Sequence, residues 1–160
     1  MNSRVAATTA ALVICWLVVF VGVLAEAWVI PTLAKELGSY YQEYSGSEGL
    51  IQGLLSAIVV GGQLVFALVA ILLGKIRRGS LVDSKSLTWV SGLIVGLGVL
   101  GASFLALFGW LTAKNTMPPT VALALLLAIL VVALLALVTS SLRQVLRDAI
   151  EARAELEGVI

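Results

Sequence analysis

Hydrophobic residues fall in four long runs, near positions 5–30, 50–74, 87–111 and 120–140, separated by shorter polar segments. Crossing about 30 Å of hydrocarbon takes roughly 20 helical residues at about 1.5 Å each. Each run is long enough. Backbone polar groups in lipid must be satisfied within the segment, so each run predicts an α-helix, and an even number returns both termini to one side. The polar segments carry their own periodicity. In 31–49, Leu33, Leu37, Tyr40, Tyr41 and Tyr44 recur at helical spacing, with Lys35, Glu36 and Glu43 on the other side. This predicts an outer interfacial segment with its tyrosines among lipid headgroups. The segment 75–86 is a basic loop. In 141–157, Leu142, Val145, Ala149, Ala152 and Leu156 form one apolar stripe, so the last helix is predicted to run unbroken from 121 to 157.

Composition agrees with the pattern: 61% of the residues are hydrophobic, 12% are charged, and the mean hydropathy is +1.11. A soluble domain has about 45–50% apolar and 25% charged residues. The fold class predicted is all-α, an integral membrane four-helix bundle with an amphipathic cytoplasmic helical extension at the C-terminus, in one domain. One cysteine, Cys15, excludes an intrachain disulfide, and the lack of histidine argues against zinc. A net charge of +1 with dispersed basic residues offers no nucleic-acid footprint.

Basic residues set the orientation. Arg4, Lys75, Arg77, Arg78, Lys85, Arg143, Arg147 and Arg153 fall on one side, and only Lys35 and Lys114 on the other. Positive charge is retained in the cytoplasm, so both termini and the 75–86 loop are predicted on the cytoplasmic side of the plasma membrane. Trp89 and Trp110 bracket the third run, Trp28 marks the outer end of the first, and Trp16, in mid-span, is expected to pack. Ala25-Glu26-Ala27 resembles a signal-peptidase site, but the apolar run before it is longer than the roughly 7–15 residues of a signal peptide. A retained first span is expected.

The hexapeptide Gly96-Leu-Gly98-Val-Leu-Gly101 matches the dinucleotide fingerprint in letters only. It has no strand before it, and no acidic residue lies between Asp83 and Asp148 to hold a ribose. Its glycines read as packing positions, as do Gly92, Ala102 and Ala106, then Gly49, Gly53, Ala57 and Gly61 in the second run, and Ala124, Ala128, Ala136 and Ser140 in the fourth. Among polar residues in the spans, Glu26 lies about one turn from the predicted outer end of the first, where interfacial exposure accounts for it. Gln63 is deeper. With Gln52, Ser56, Ser91 and Ser103 it reads as a source of cross-helix hydrogen bonds. Cys15 has no base nearby, and Ser80 follows a basic run as a turn residue. No catalytic set, metal site or cofactor is expected.

The features outside the spans point to protein interaction. The acidic end of the last helix, with Glu155, Leu156 and Glu157, can complement Arg77 and Arg78, while Leu142 and Val145 offer an apolar face to a partner or a second copy. A small transporter or channel subunit using Glu26 and Gln63 is the alternative.

Val29-Ile30-Pro31, the loop Arg78-Gly79-Ser80-Leu81, and the ending from Leu142-Arg143 to Ala154-Glu155-Leu156-Glu157-Gly158-Val159-Ile160 resemble the small four-span bacterial membrane proteins known as domain of unknown function 2975. The resemblance carries no catalytic residues. It implies a four-span fold and, through members encoded beside a small helix-turn-helix regulator, a membrane partner for a DNA-binding protein.

Overall fold

The computed structural model describes residues 2–40, 44–78, 84–115 and 117–158, with side chains over 6–39, 44–78, 86–115 and 117–152. Its helices are α1 (Asn2–Leu24), a π-helical segment (Ala25–Val29), α2 (Ile30–Tyr40), α3 (Glu48–Arg77), α4 (Ser84–Ala113) and α5 (Pro119–Gly158). Four stretches are long and apolar enough to cross a membrane: Ala6–Ser39, Glu48–Arg77, Ser86–Ala113 and Pro119–Ala152. The chain is a multi-pass membrane protein built as an all-α bundle.

The long helices pack in chain order, α1 on α3, α3 on α4 and α4 on α5. Among the described residues no extensive contact joins α1 to α5, so the bundle is open and these two helices form its edges. The arrangement overturns the expectation that Trp16 packs. With α3 as its only large partner, α1 turns Cys15 inward at 6% exposure and leaves Trp16 outward at 58%. The interior is centred on α4, whose Leu93, Leu97 and Leu100 bury against Val132 of α5 and against Val65, Leu68 and Leu72 of α3. The spacing of four and three places all three leucines on one helical stripe.

Glycine decides how closely α3 and α4 approach. A Cβ at Gly61 would lie 3.2 Å from Leu100 Cδ1 and 3.5 Å from its Cα, while Gly92 and Gly96 face Leu68 and Val65 in ordinary contact. Gly101 faces Val132 of α5 in the same way. The expectation fails for Gly49, Gly53 and Gly98, which have nothing within 4 Å. Two glycines outside the expected seams, Gly22 and Gly38, have the closest neighbours, Gln63 and Glu48. Small residues at helical spacing mark a smooth face, and smoothness alone does not say whether a helix covers it.

The polar residues of the spans also depart from expectation. Ser91 and Ser103 donate to Leu87 and Val99 carbonyls, and Thr112, Thr139 and Ser141 likewise bond carbonyls one turn back. These hydroxyls satisfy themselves within their own helix, which requires no neighbour.

Two ends can be distinguished. At the tyrosine end, Tyr44, Ala34 and Ile51 bury together, and the Tyr44 ring stacks on Trp110 at 5.7 Å between centroids. Tyr44, expected among headgroups, is therefore part of the packing that ties α2 and the following turn to α3 and α4. At the basic end, Lys75 Nζ donates to Oγ of the fully buried Ser86 at 3.3 Å and links α3 to the start of α4. The 40-residue α5 is ten residues longer than the 30-residue α4 beside it, so about 15 Å of it projects past that end.

Candidate functional site

The first region of interest begins with a proline. Pro31 has no N–H, and its ring crowds the carbonyl four residues back, so an α-helical register through it is penalised. The chain answers by widening. Over Ala25–Val29 the register is π, and the Ile30 N–H bonds the Ala25 carbonyl five residues back. Thr32 Oγ1 satisfies the Trp28 carbonyl at 2.7 Å. Pro31, expected at the boundary of the first span, is thus inside a helix continuous from Asn2 to Tyr40, about 58 Å long.

That continuity changes the depth of Glu26. Gln63, at the middle of the 30-residue α3, lays its amide across Gly22 of α1. A Cβ at Gly22 would come within 2.5 Å of Nε2 and 2.9 Å of Cγ, so a side chain there would displace Gln63. Glu26 lies four residues beyond Gly22, about one turn along the same helix. Glu26 Oε1 and Gln63 Nε2 are both shielded from solvent, and neither has a hydrogen-bond partner. No hydrogen bond joins Glu26 to Gln63.

The second region is a groove of about 330 Å³ toward the basic end, between α3, α4 and α5. Its walls include Leu72 and Ile76 of α3, Val90 and Leu93 of α4, and Leu142 and Val145 of α5. Leu142 and Val145 are 60% and 65% exposed, although each borders the groove. Further along α5, Arg147 Nε donates to Glu151 Oε1 one turn on, at 2.8 Å on the exposed surface.

Arg77 and Arg78 lie elsewhere. Both are exposed and line, with Leu12 of α1 and Gly74, a separate hollow of about 440 Å³ on the α1 side of α3. The structure does not bring them into the Leu142 and Val145 groove. Side chains of Glu155, Leu156 and Glu157 lie outside the described residues, as do Ser80 and the side chain of Lys85. Among the described residues, no group of three or more potential ligands could hold a metal ion. The Gly96–Gly101 hexapeptide is helical throughout, in the middle of α4.

The sequence did not reveal that Gly22 is the seat of Gln63. The available signal was Gly22 four residues before Glu26 in an otherwise large-residue run, but pairing it with Gln63 requires the register of α1 against α3. Searches of curated proteins and of solved structures find no match to this chain. A family model covers residues 2–160, and the chain belongs to the family it describes, protein of unknown function (DUF2975).

Proposed function

We propose that this protein is a non-enzymatic interaction or regulatory protein of the bacterial plasma membrane, with both termini cytoplasmic, which receives a helix of a protein partner in the groove bordered by Leu142 and Val145. One observation carries the reading: two large apolar side chains stand exposed at the mouth of an apolar groove, just where α5 begins to outrun its neighbours. An amphipathic helix laid into such a groove is anchored by side chains at i, i+3 and i+4. Arg147, Asp148 and Glu151, exposed on the next turns, supply a polar rim. A small helix-turn-helix regulator, which the family resemblance implies, is the first partner to test, and a second copy of the chain is the competing occupant.

The experiment places the photoreactive residue benzoylphenylalanine at Val145, or at the outward Leu134 as a control, in full-length protein co-expressed with the regulator. Adducts to the regulator from position 145 and not from 134, lost on Leu142→Asp, are the expected result. Adducts only to lipid or to the chain itself would remove the partner reading. A transporter or channel subunit is the second reading, favoured by the shielded Glu26 and Gln63. It ranks lower because Ser86 is the only fully polar residue buried in the interior among the described residues, and it lies at the basic end.

A further inference from the structure

We propose that the hollow between α1 and α3 lined by Leu12, Gly74, Arg77 and Arg78 binds the phosphate headgroup of an anionic phospholipid. The inference does not depend on the partner groove, with which the hollow shares no lining residue among those described. Its place is set by helix register. Gly22 on Gln63 and Gly38 on Glu48 run the first long helix antiparallel to α3. Leu12 lies ten residues before Gly22, and Gly74 eleven residues after Gln63, so the two reach one level. A Cβ at Gly74 would meet nothing within 4 Å, so this glycine leaves open space that a larger residue would fill. Successive helical positions diverge by about 100°, yet the Arg77 and Arg78 side chains border the same hollow of about 440 Å³.

Charge and depth decide what fits. Arg77 is the last residue of the membrane-spanning stretch Glu48–Arg77, which puts both guanidinium groups at headgroup level. Leu12 and Gly74 lie about 5 Å deeper. Trp16, one further turn along α1 and 58% exposed, continues the apolar surface along which an acyl chain would run. No described carboxylate offsets the arginines. On α1 no described side chain is charged, and on α3 Glu48 is 29 residues from Arg77, about 43 Å. The first turn of α4 has no acid, and neither arginine forms an ion pair among the described residues. The carbonyls that end α3 carry about half a negative charge against two full positive ones, and that of Gly74 is already taken by the Arg78 N–H. Guanidinium forks match phosphate oxygens in pairs. Two cations facing one phosphodiester leave a positive excess that repels the ammonium of a zwitterionic lipid, so a net anionic headgroup is selected.

The test uses full-length protein in dodecyl maltoside micelles, titrated with dioleoylphosphatidylglycerol, dioleoylphosphatidylcholine or inorganic phosphate and read by native mass spectrometry. One phosphatidylglycerol should be retained, with a dissociation constant about tenfold or more below that of phosphatidylcholine, and inorganic phosphate should neither bind nor displace it. Arg77→Gln and Arg78→Gln should each weaken retention about fivefold, the usual worth of one basic residue at an anionic membrane surface. Gly74→Phe, which fills the hollow and keeps both arginines, should weaken it as well. Arg143→Gln, at an exposed arginine of α5, should not. Equal retention of the two lipids by wild-type protein overturns the proposal, and so does displacement by inorganic phosphate, which would make the hollow a free-anion site. Equal weakening by Arg143→Gln and Arg77→Gln also overturns it, because binding would then follow diffuse surface charge. The lipid comparison on wild-type protein needs no variant, so a misfolded Gly74→Phe leaves the test intact.

Discussion

Replacing Gly61 by valine tests whether α3 and α4 are held as close as the structure shows. The Cβ itself would stand 3.2 Å from Leu100 Cδ1, a flexible tip that can yield by a few tenths of an ångström. The two methyl groups are harder to place. They extend toward the Leu100 Cα and Cβ, each already 3.5 Å from the new Cβ, and backbone cannot turn aside as a side-chain end can. Leu100 is also part of the central cluster with Leu93, Leu97 and Val132, so a shift of α4 is felt on its α5 side. Overpacking of this kind costs about 1–3 kcal/mol. Gly98→Val, two residues before Leu100 on the same helix, meets nothing within 4 Å and relieves the helical penalty of glycine, about 0.5–1 kcal/mol. Unfolding of each full-length variant by denaturing detergent in mixed micelles, followed by tryptophan fluorescence, should show Gly61→Val destabilised and Gly98→Val neutral or slightly stabilised. Equal losses, or a larger loss at Gly98, would show that the α3–α4 interface is not the one described.

In a Cys15→Ser background, cysteine at Ser47 should react with a membrane-impermeant maleimide in intact cells and cysteine at Arg78 should not; the reverse pattern would invert the orientation. Tyr44→Ala should cost about 3 kcal/mol by removing a buried ring, and should red-shift the Trp110 emission as its stacked cover is lost. Purified protein should show no saturable NAD binding by calorimetry, since Gly96, Gly98 and Gly101 lie within a continuous helix. In the same cysteine-free background, a Gly38→Cys, Glu48→Cys pair should oxidise to a disulfide, because the Gly38 Cβ position lies 2.5 Å from Glu48 Cγ. Adding Pro31→Ala should weaken that crosslink by letting the π segment relax to an α register and turning α2 by about 100°.

The number of spans, their helical nature and the unbroken last helix were legible because lipid leaves a long apolar run almost no other backbone solution. Helix ends were less legible. Pro31 read as a terminator because proline penalises an α-helix, yet a π segment absorbed that penalty and the helix continued to Tyr40. Seam glycines were half legible: Gly61, Gly92 and Gly96 face neighbours, while Gly49, Gly53 and Gly98 with equally good spacing do not. Spacing defines a face, and only the packing order of the helices decides what the face meets. The hydroxyls of Ser91 and Ser103 were misread for a related reason, since a residue's own helix offers a carbonyl one turn back regardless of tertiary structure.

Pro31, Glu26, Gly22 and Gln63 are one physical unit despite their separation in sequence. A straight α-helix would carry the α2 face about 100° away from its present direction for each residue of register lost or gained. The π segment supplies that adjustment, so one continuous helix presents Gly22 to Gln63 in its middle and Gly38 to Glu48 near its tyrosine end. Proline enforces the adjustment by making the uncorrected register unfavourable. The two close seats bind α3 at points 16 residues apart on the long helix, about 24 Å, and fix its rotation at both. Glu26 lies between them.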